Sequence, residues 1–347
     1  MLSCTGKRPP NRLRDHCGYA LNGISFIADA SKPSSGGISC RYPRVVGMIT
    51  RTRSITPTRI ISPNKMKSPF SLLLLSLLIL SAAGCKKDAA SEAERMSELH
   101  AGDSPVATGM AQEPATDVVT RTVAYGTIDG TELNGYLAEP AESADSLPGV
   151  IMIHEWWGLN DNIRTMARRL AGEGYRVLAV DLYDGRVGET PEQAREIMGQ
   201  ALENPTRMET NLVAAYTYLD ENLGAPKTGV IGWCFGGGES LAAALRLPNR
   251  IDATVIYYGR LVEDREKLAT LQMPILGFFG AEDGGIPVEA VHKFQQTLED
   301  LGKSVDITVY EGAGHAFANP SGQNYVEDAA NDSWRKTLRF FATNLKG

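Results

Sequence analysis

From residue 118 to the end of the chain, short apolar runs alternate with amphipathic stretches. Alternating positions over 118–127 and 132–138 flank Asp129-Gly130, the signal of a β-hairpin. A continuous apolar run at 148–154 and another at 228–233 predict buried strands, and the apolar-rich stretches 175–182, 252–258, 274–279 and 305–310 predict further strands. Between them, apolar residues recur at helical spacing over 160–173, 191–202, 206–223, 288–301 and 325–345. This alternation implies an α/β fold, with a mainly parallel sheet, helices on both faces and an N-terminal antiparallel hairpin. There is no internal repeat, and residues 117–347 fit one such domain.

Sites in such sheets lie at the carboxyl ends of the strands. The heptad Gly232-Trp-Cys-Phe-Gly-Gly-Gly238 stands between the 228–233 strand and a helical run. A glycine-flanked residue in that context reads as a nucleophile elbow, here with Cys234 at its tip. A buried, inert thiol on a tight turn is the structural alternative. Asp283 follows the 274–279 strand, and His315, in Gly-Ala-Gly-His, follows the 305–310 strand. Each has an ordinary role of its own, a turn residue or a loop histidine. In the order nucleophile, acid, histidine, they match the triad of an α/β-hydrolase. His292 lies within a helix, and His154-Glu155 lacks the second histidine of a zinc-protease helix.

The first 116 residues differ in composition. Residues 1–65 carry a net charge of +9, and the rest of the chain carries −15. The first stretch has no hydrophobic period and is expected to be disordered. The acidic remainder is a poor partner for nucleic acid. At 66–84 a positive start, a short apolar core and a small-residue end predict a secretory signal peptide. Its apolar core is shorter than the ~20 residues of a membrane span. Ala82-Ala83-Gly84-Cys85 resembles a bacterial lipoprotein box, which implies lipidation of Cys85 and a lipid-anchored protein of the cell envelope. A signal at that depth implies that translation starts at Met66 and that residues 1–65 are a mis-extended N-terminus. Residues 85–116, rich in Ala, Glu, Ser and Asp, read as a flexible tether. The five cysteines show no CxxC spacing and no nearby histidine at zinc-ligand spacing, so no metal or cofactor is expected. With Cys85 lipidated, Cys234 is the only other cysteine of the mature chain, so no disulfide is expected.

Gly-Trp-Cys-Phe-Gly-Gly, His-Glu-Trp-Trp-Gly-Leu-Asn, Asp-Leu-Tyr-Asp-Gly-Arg and Gly-His-Ala-Phe, in their positions here, resemble the dienelactone hydrolase family. The resemblance implies an α/β-hydrolase fold and a Cys234–His315–Asp283 triad. It implies that Glu155 holds the resting cysteine as a thiol, and that the backbone N–H groups of Phe235 and Trp156 form the oxyanion hole. Of the two arginines that bind substrate carboxylate in the family, Arg186 matches the first, and Asn319 stands at the second. Trp157 is expected to add aromatic surface at the pocket mouth. The expected activity is hydrolysis of small esters or lactones through an acyl-thioester, with neutral substrates favoured because Asn319 replaces a cation. A thioesterase or a small-substrate peptidase on the same fold, and a catalytically silent binding lipoprotein, are the alternatives.

Overall fold

Eight strands form one sheet in the order β1-β2-β4-β3-β5-β6-β7-β8. The computed structural model describes residues 89–104, 113–142 and 146–347. The expected N-terminal extension, the signal peptide and Cys85 lie outside the described residues.

The hairpin comes first. β1 (Val118–Ile128) pairs antiparallel with β2 (Thr131–Pro140). Its turn residues Asp129 and Gly130 both have positive φ, 50° and 80°. That geometry matches the twist of the flanking strands and explains the Asp-Gly pair. β2 pairs antiparallel with β4 (Arg176–Val180), and every later pairing is parallel. β3 (Gly149–Ile153) lies between β4 and β5 (Thr228–Trp233). Every residue of β3 and β5 is buried, which is why both read as unbroken apolar runs. β6 (Ala253–Tyr257), β7 (Ile275–Gly280) and β8 (Val305–Tyr310) complete the sheet. The chain builds in one direction from β3 to β4, then crosses back to β5 and onward. The reversal beside β3 creates the crevice at the strand ends where such folds place their chemistry.

Helices α2 (Asp161–Gly172), α3 (Pro191–Leu202), α4 (Pro205–Thr217), α5 (Phe235–Arg246), α6 (Arg265–Ala269), α7 (Val288–Asp300) and α8 (Glu327–Leu345) connect or cover the strands. The expected helix 206–223 ends as a π-helical turn, Tyr218–Asn222. The short α6 gave no periodic signal, since five residues are too few for one.

One expectation is overturned. Part of the stretch read as a flexible tether is a helix, α1 (89–99). Its buried residues Ala89, Ala93 and Met96, followed by His100, recur every three or four positions. The stripe is narrow and made mostly of small residues, so it lacks the bulk that marks an amphipathic helix. Arg95 pairs with Glu92 one turn back and donates to the carbonyl of Gly285. Arg195 reaches Glu94 at 2.8 Å. Beyond the helix, Asp103 accepts from the backbone N–H of Gln323 at 2.9 Å. The segment is thus pinned to three separate parts of the domain.

Candidate active site

Cys234 caps the N-terminus of α5 with φ 56° and ψ −119°. A positive φ on a residue with a Cβ is strained, at a cost of about 1–3 kcal/mol. The surroundings hold it there. Its N–H donates to the Tyr257 carbonyl at 3.0 Å, and its own carbonyl accepts from Gly237 at 3.0 Å. The flanking glycines are needed for packing. A Cβ on Gly232 would lie 2.1 Å from the Gly236 carbonyl oxygen, and one on Gly236 would lie 2.4 Å from that of His154. The elbow therefore tolerates no side chain at either position, and it points the Cys234 side chain at the carboxyl ends of the strands.

Asp283 and His315 meet as expected. Asp283 follows β7 and His315 follows β8, two adjacent parallel strands. His315 Nδ1 and Asp283 Oδ2 are 2.8 Å apart, with both side chains buried. The other oxygen of Asp283 accepts from the N–H groups of Gly285 (2.8 Å) and Ile286 (3.2 Å). These bonds fix the carboxylate, which fixes the imidazole with Nδ1–H toward it and Nε2 free. Nε2 of His315 has no hydrogen-bond partner.

The residue in contact with the thiol was not foreseen. His100 Nε2 lies 3.4 Å from Cys234 Sγ, and His100 Nδ1 lies 2.8 Å from Asp103 Oδ2. The Met96 sulfur is 3.2 Å from Sγ. The nucleophile candidate thus sits between two histidine–carboxylate pairs, one from the domain and one from the segment ending α1. The side-chain donor atoms of His100, Cys234 and His315 lie within 4.8 Å of one another. The two imidazole rings meet edge to face at 5.3 Å. The sequence signal for this pair, His-Ala-Gly-Asp after a small-residue stripe, is local, whereas its contact with Cys234 spans 134 residues.

Burial pushes the Cys234 thiol well above its ordinary pKa, and the Glu155 charge adds to this. The N–H groups of Phe235 and Trp156 act in the opposite sense, as donors to the sulfur. The two groups expected to form an oxyanion hole therefore both face Sγ. Burial lowers the pKa of His100, so its neutral form prevails. Burial alone would raise Asp103, but its hydrogen bonds to His100 and Gln323 hold it below the usual carboxylate range.

Glu155 lies just past β3, buried, and burial pushes its pKa up to about 8, with the Asp103 charge adding to the rise. Its Oε2 accepts from the Asn319 amide at 2.7 Å, and its Oε1 has no partner. The thiol's close side-chain partners are His100 and Met96, not Glu155. Asn319 is buried, and its amide oxygen accepts from both the N–H (2.9 Å) and the hydroxyl (2.7 Å) of Ser321. Its hydrogen bonds make Asn319 a support for Glu155, and the two together line a cavity with Trp233 and Tyr258. Arg186 is exposed and bonds the Tyr183 carbonyl and Gln200, away from the cluster around Cys234. Trp157 is buried, with its ring 6.4 Å from that of His100. It is not at an open mouth: Trp156 and His100 pack against its ring. Trp156 stacks on His100 at 4.8 Å.

A space of about 20 Å³ remains beside Cys234, lined in part by Arg95, Met96, Phe235, Arg260, Ile286 and His315. That is room for about one water. That space is too small for an ester while α1 is docked as it is here. His154, by contrast, has both ring nitrogens engaged, by the Glu155 carbonyl and the Leu182 N–H, and is structural.

The sequence profile of the dienelactone hydrolase family matches residues 133–345. A Saccharolobus solfataricus protein assigned as a carboxymethylenebutenolidase is 31% identical over 255 residues, covering 61% of this chain and 94% of its own length. A Salmonella typhimurium protein assigned the same activity is 30% identical, covering 70% of this chain and 90% of its own length. A solved Klebsiella pneumoniae structure assigned as a dienelactone hydrolase superposes with a TM-score of 0.60 at 27% identity, covering 65% of this chain and 99% of that one.

Proposed function

The chain belongs to the dienelactone hydrolase family and is a hydrolase acting on esters, and we propose that it cleaves small esters or lactones through an acyl-thioester on Cys234. The observation that carries this reading is the buried His315–Asp283 pair beside a cysteine on a strained elbow, with two backbone donors at its sulfur.

The chemistry follows from those parts. Only the thiolate attacks well, and burial holds Cys234 in the thiol form. The thiol proton passes to His315 Nε2, which has no other partner. Asp283 stabilises the imidazolium that results. The sulfur bonds to the substrate carbonyl carbon, and the N–H groups of Phe235 and Trp156 receive the developing oxyanion. Such a donor is worth about 3 kcal/mol. The tetrahedral intermediate collapses, the C–O bond breaks, and His315 returns the proton to the leaving oxygen. A water then gives its proton to His315 and attacks the thioester. The carboxylic acid departs, and the thiol is restored with that proton. For a lactone, the alcohol and acid remain one molecule. Glu155, neutral at pH 7 and held by Asn319, keeps a second negative charge away from the sulfur while the thiolate forms. The relatives assigned as carboxymethylenebutenolidases favour an unsaturated lactone as one substrate class for this chain too.

The signal-like stretch at 66–84 and Cys85 support a lipid-anchored enzyme of the cell envelope, with its small substrate reaching it outside the cytoplasm. Mass analysis of membrane-extracted protein tests the anchor, with a lipid-bearing Cys85 at the N-terminus expected. A free Cys85 thiol in a soluble form removes it. The hydrolytic reading is tested by quenching turnover of a slow ester and weighing the intact protein. An acyl increment on wild type that is missing in Cys234→Ala is expected. Full turnover by Cys234→Ala ends the reading.

A further inference from the structure

Cys234, His100 and His315 form a donor set that hydrolysis uses only in part. We propose that, with α1 docked, these three side chains bind a thiophilic divalent cation, Zn²⁺, and that the bound ion holds the enzyme inactive. The inhibitory half rests on Cys234 being the nucleophile. The binding half does not.

Ligand type comes first. One thiolate and two imidazoles are a donor set that selects zinc over magnesium or calcium, which take oxygen ligands. Three protein ligands with one open position is a known zinc arrangement. Separation comes second. With Zn–S near 2.3 Å and Zn–N near 2.0 Å, tetrahedral ligand atoms stand about 3.5 Å apart. Sγ and His100 Nε2 are already 3.4 Å apart. All three donors fall within 4.8 Å of one another. Drawing the set together closes its widest gap, at most 4.8 Å, by about 1.3 Å.

The surroundings resemble those of a metal centre more than those of a single catalytic pair. Each histidine has its Nδ1 held by a buried carboxylate at 2.8 Å, His100 by Asp103 and His315 by Asp283. That is the outer support which fixes tautomer and ring direction for metal-bound histidines. It leaves Nε2 of each ring as the free lone pair. Nε2 of His315 is buried without any partner, a cost that a ligand would remove. The two carboxylates offset the cation's charge in a site without bulk water. The ion would sit among the three donor atoms themselves, which are all buried and within 4.8 Å of one another. Binding displaces the thiol proton, so that Cys–SH and Zn²⁺ give Cys–S–Zn⁺ and H⁺. His100 belongs to the segment that covers the site, so the three-ligand site exists only when substrate is excluded. The ligands stand at 100, 234 and 315, which is why no spacing motif announced them.

The test uses the full-length, metal-stripped protein with a non-thiol reductant. Co²⁺ is titrated as a spectroscopic probe, then displaced by Zn²⁺. One equivalent should bind with a near-ultraviolet thiolate-to-cobalt band, and the band should vanish in Cys234→Ala. His100→Ala should weaken Zn²⁺ binding at least tenfold, and Asp103→Asn by about 10–100-fold, as expected for a lost outer support. Circular dichroism verifies that each variant is folded. Ester cleavage by wild type should fall as Zn²⁺ occupancy rises and return with a chelator. Binding that survives Cys234→Ala, a cobalt spectrum without the sulfur band, or unchanged affinity in His100→Ala would overturn the site. Binding with all its expected features but no loss of turnover would overturn the inhibitory half, and would count against Cys234 as the nucleophile.

Discussion

The imidazole of His100 and the thiol of Cys234 meet at 3.4 Å across 134 residues of chain. The contact closes the nucleophile behind α1, a segment N-terminal to the family match at 133–345. Access to the thiol should therefore depend on a helix far from it in sequence. Ala93 is buried in the stripe that docks this helix. Ala93→Glu places a charge there, whose burial costs several kcal/mol. The helix should release while the sheet stays folded. We expect iodoacetamide to alkylate Cys234 at least tenfold faster in the variant, with a thermal midpoint within a few degrees of wild type. Equal alkylation rates would show that α1 does not limit access to the thiol.

The proposed nucleophile and base act as one unit, so their losses should not add. Cys234→Ala and His315→Ala are each expected to abolish ester turnover, and the double variant should be no worse than either. Cys234→Ser is expected to keep weak activity at most, because a hydroxyl is far harder to deprotonate. The measurement is kcat/KM for one activated ester across these variants and wild type, with folding verified by circular dichroism. Two independent, multiplying losses would mean that the residues do not share a proton.

Much of the domain was legible because its signals are local. α3 and β8 match the expected spans 191–202 and 305–310, since their apolar positions recur without interruption. Cys234, Asp283 and His315 each stand just past a strand, and parallel topology gathers those strand ends in one place. The failures share another cause. α1 is marked by Ala89, Ala93, Met96 and His100, a stripe too small to stand out from an Ala-rich linker. Asn319 occupies a position where the family carries arginine, yet its partner is Glu155, 164 residues away. Trp157 was expected at an open mouth, but it is buried, with Trp156 and the distant-in-sequence His100 against its ring. A side chain's destination depends on what packs against it, and that is not local information.

Glu155 gives a pH dependence with a definite sign. Its carboxyl rises from an ordinary value of 4.5 in the unfolded chain to about 8 in the folded one, through burial first. Between those values the folded state binds the extra proton. Stability therefore falls as pH rises from about 4.5 to about 8. Glu239, raised to about 7 by burial, acts in the same sense. Glu155→Gln mimics the protonated form and removes the penalty. At pH 9 it should gain at least ~1 kcal/mol on wild type, with little gain at pH 5. Urea unfolding at the two pH values measures both. A gain that is equal at both would show that Glu155 does not titrate across this window.

Substrate charge is the remaining question, and the structure moves it to other residues. A neutral preference was expected because Asn319 stands where the family has an arginine. Asn319 is engaged with Glu155, and Arg186 bonds outward to Gln200, so neither reaches the space at Cys234. Arg95 and Arg260 line that space instead. Arg260 is exposed, so its attraction is screened by water and salt. A charge-assisted hydrogen bond from it should fall at the low end of its range, about 1.5 kcal/mol, or roughly tenfold in kcat/KM. Arg95 rides on α1 and is engaged with Glu92 and Gly285, so its contribution depends on where that helix rests during turnover. Arg260→Ala should therefore lower kcat/KM about tenfold for an ester bearing a distant carboxylate, and barely change it for the matching methyl ester. The comparison needs two substrates that differ only at that non-reacting group. If both fall equally, Arg260 supports the fold of the loop rather than the substrate, and the cation that greets an anionic substrate lies elsewhere.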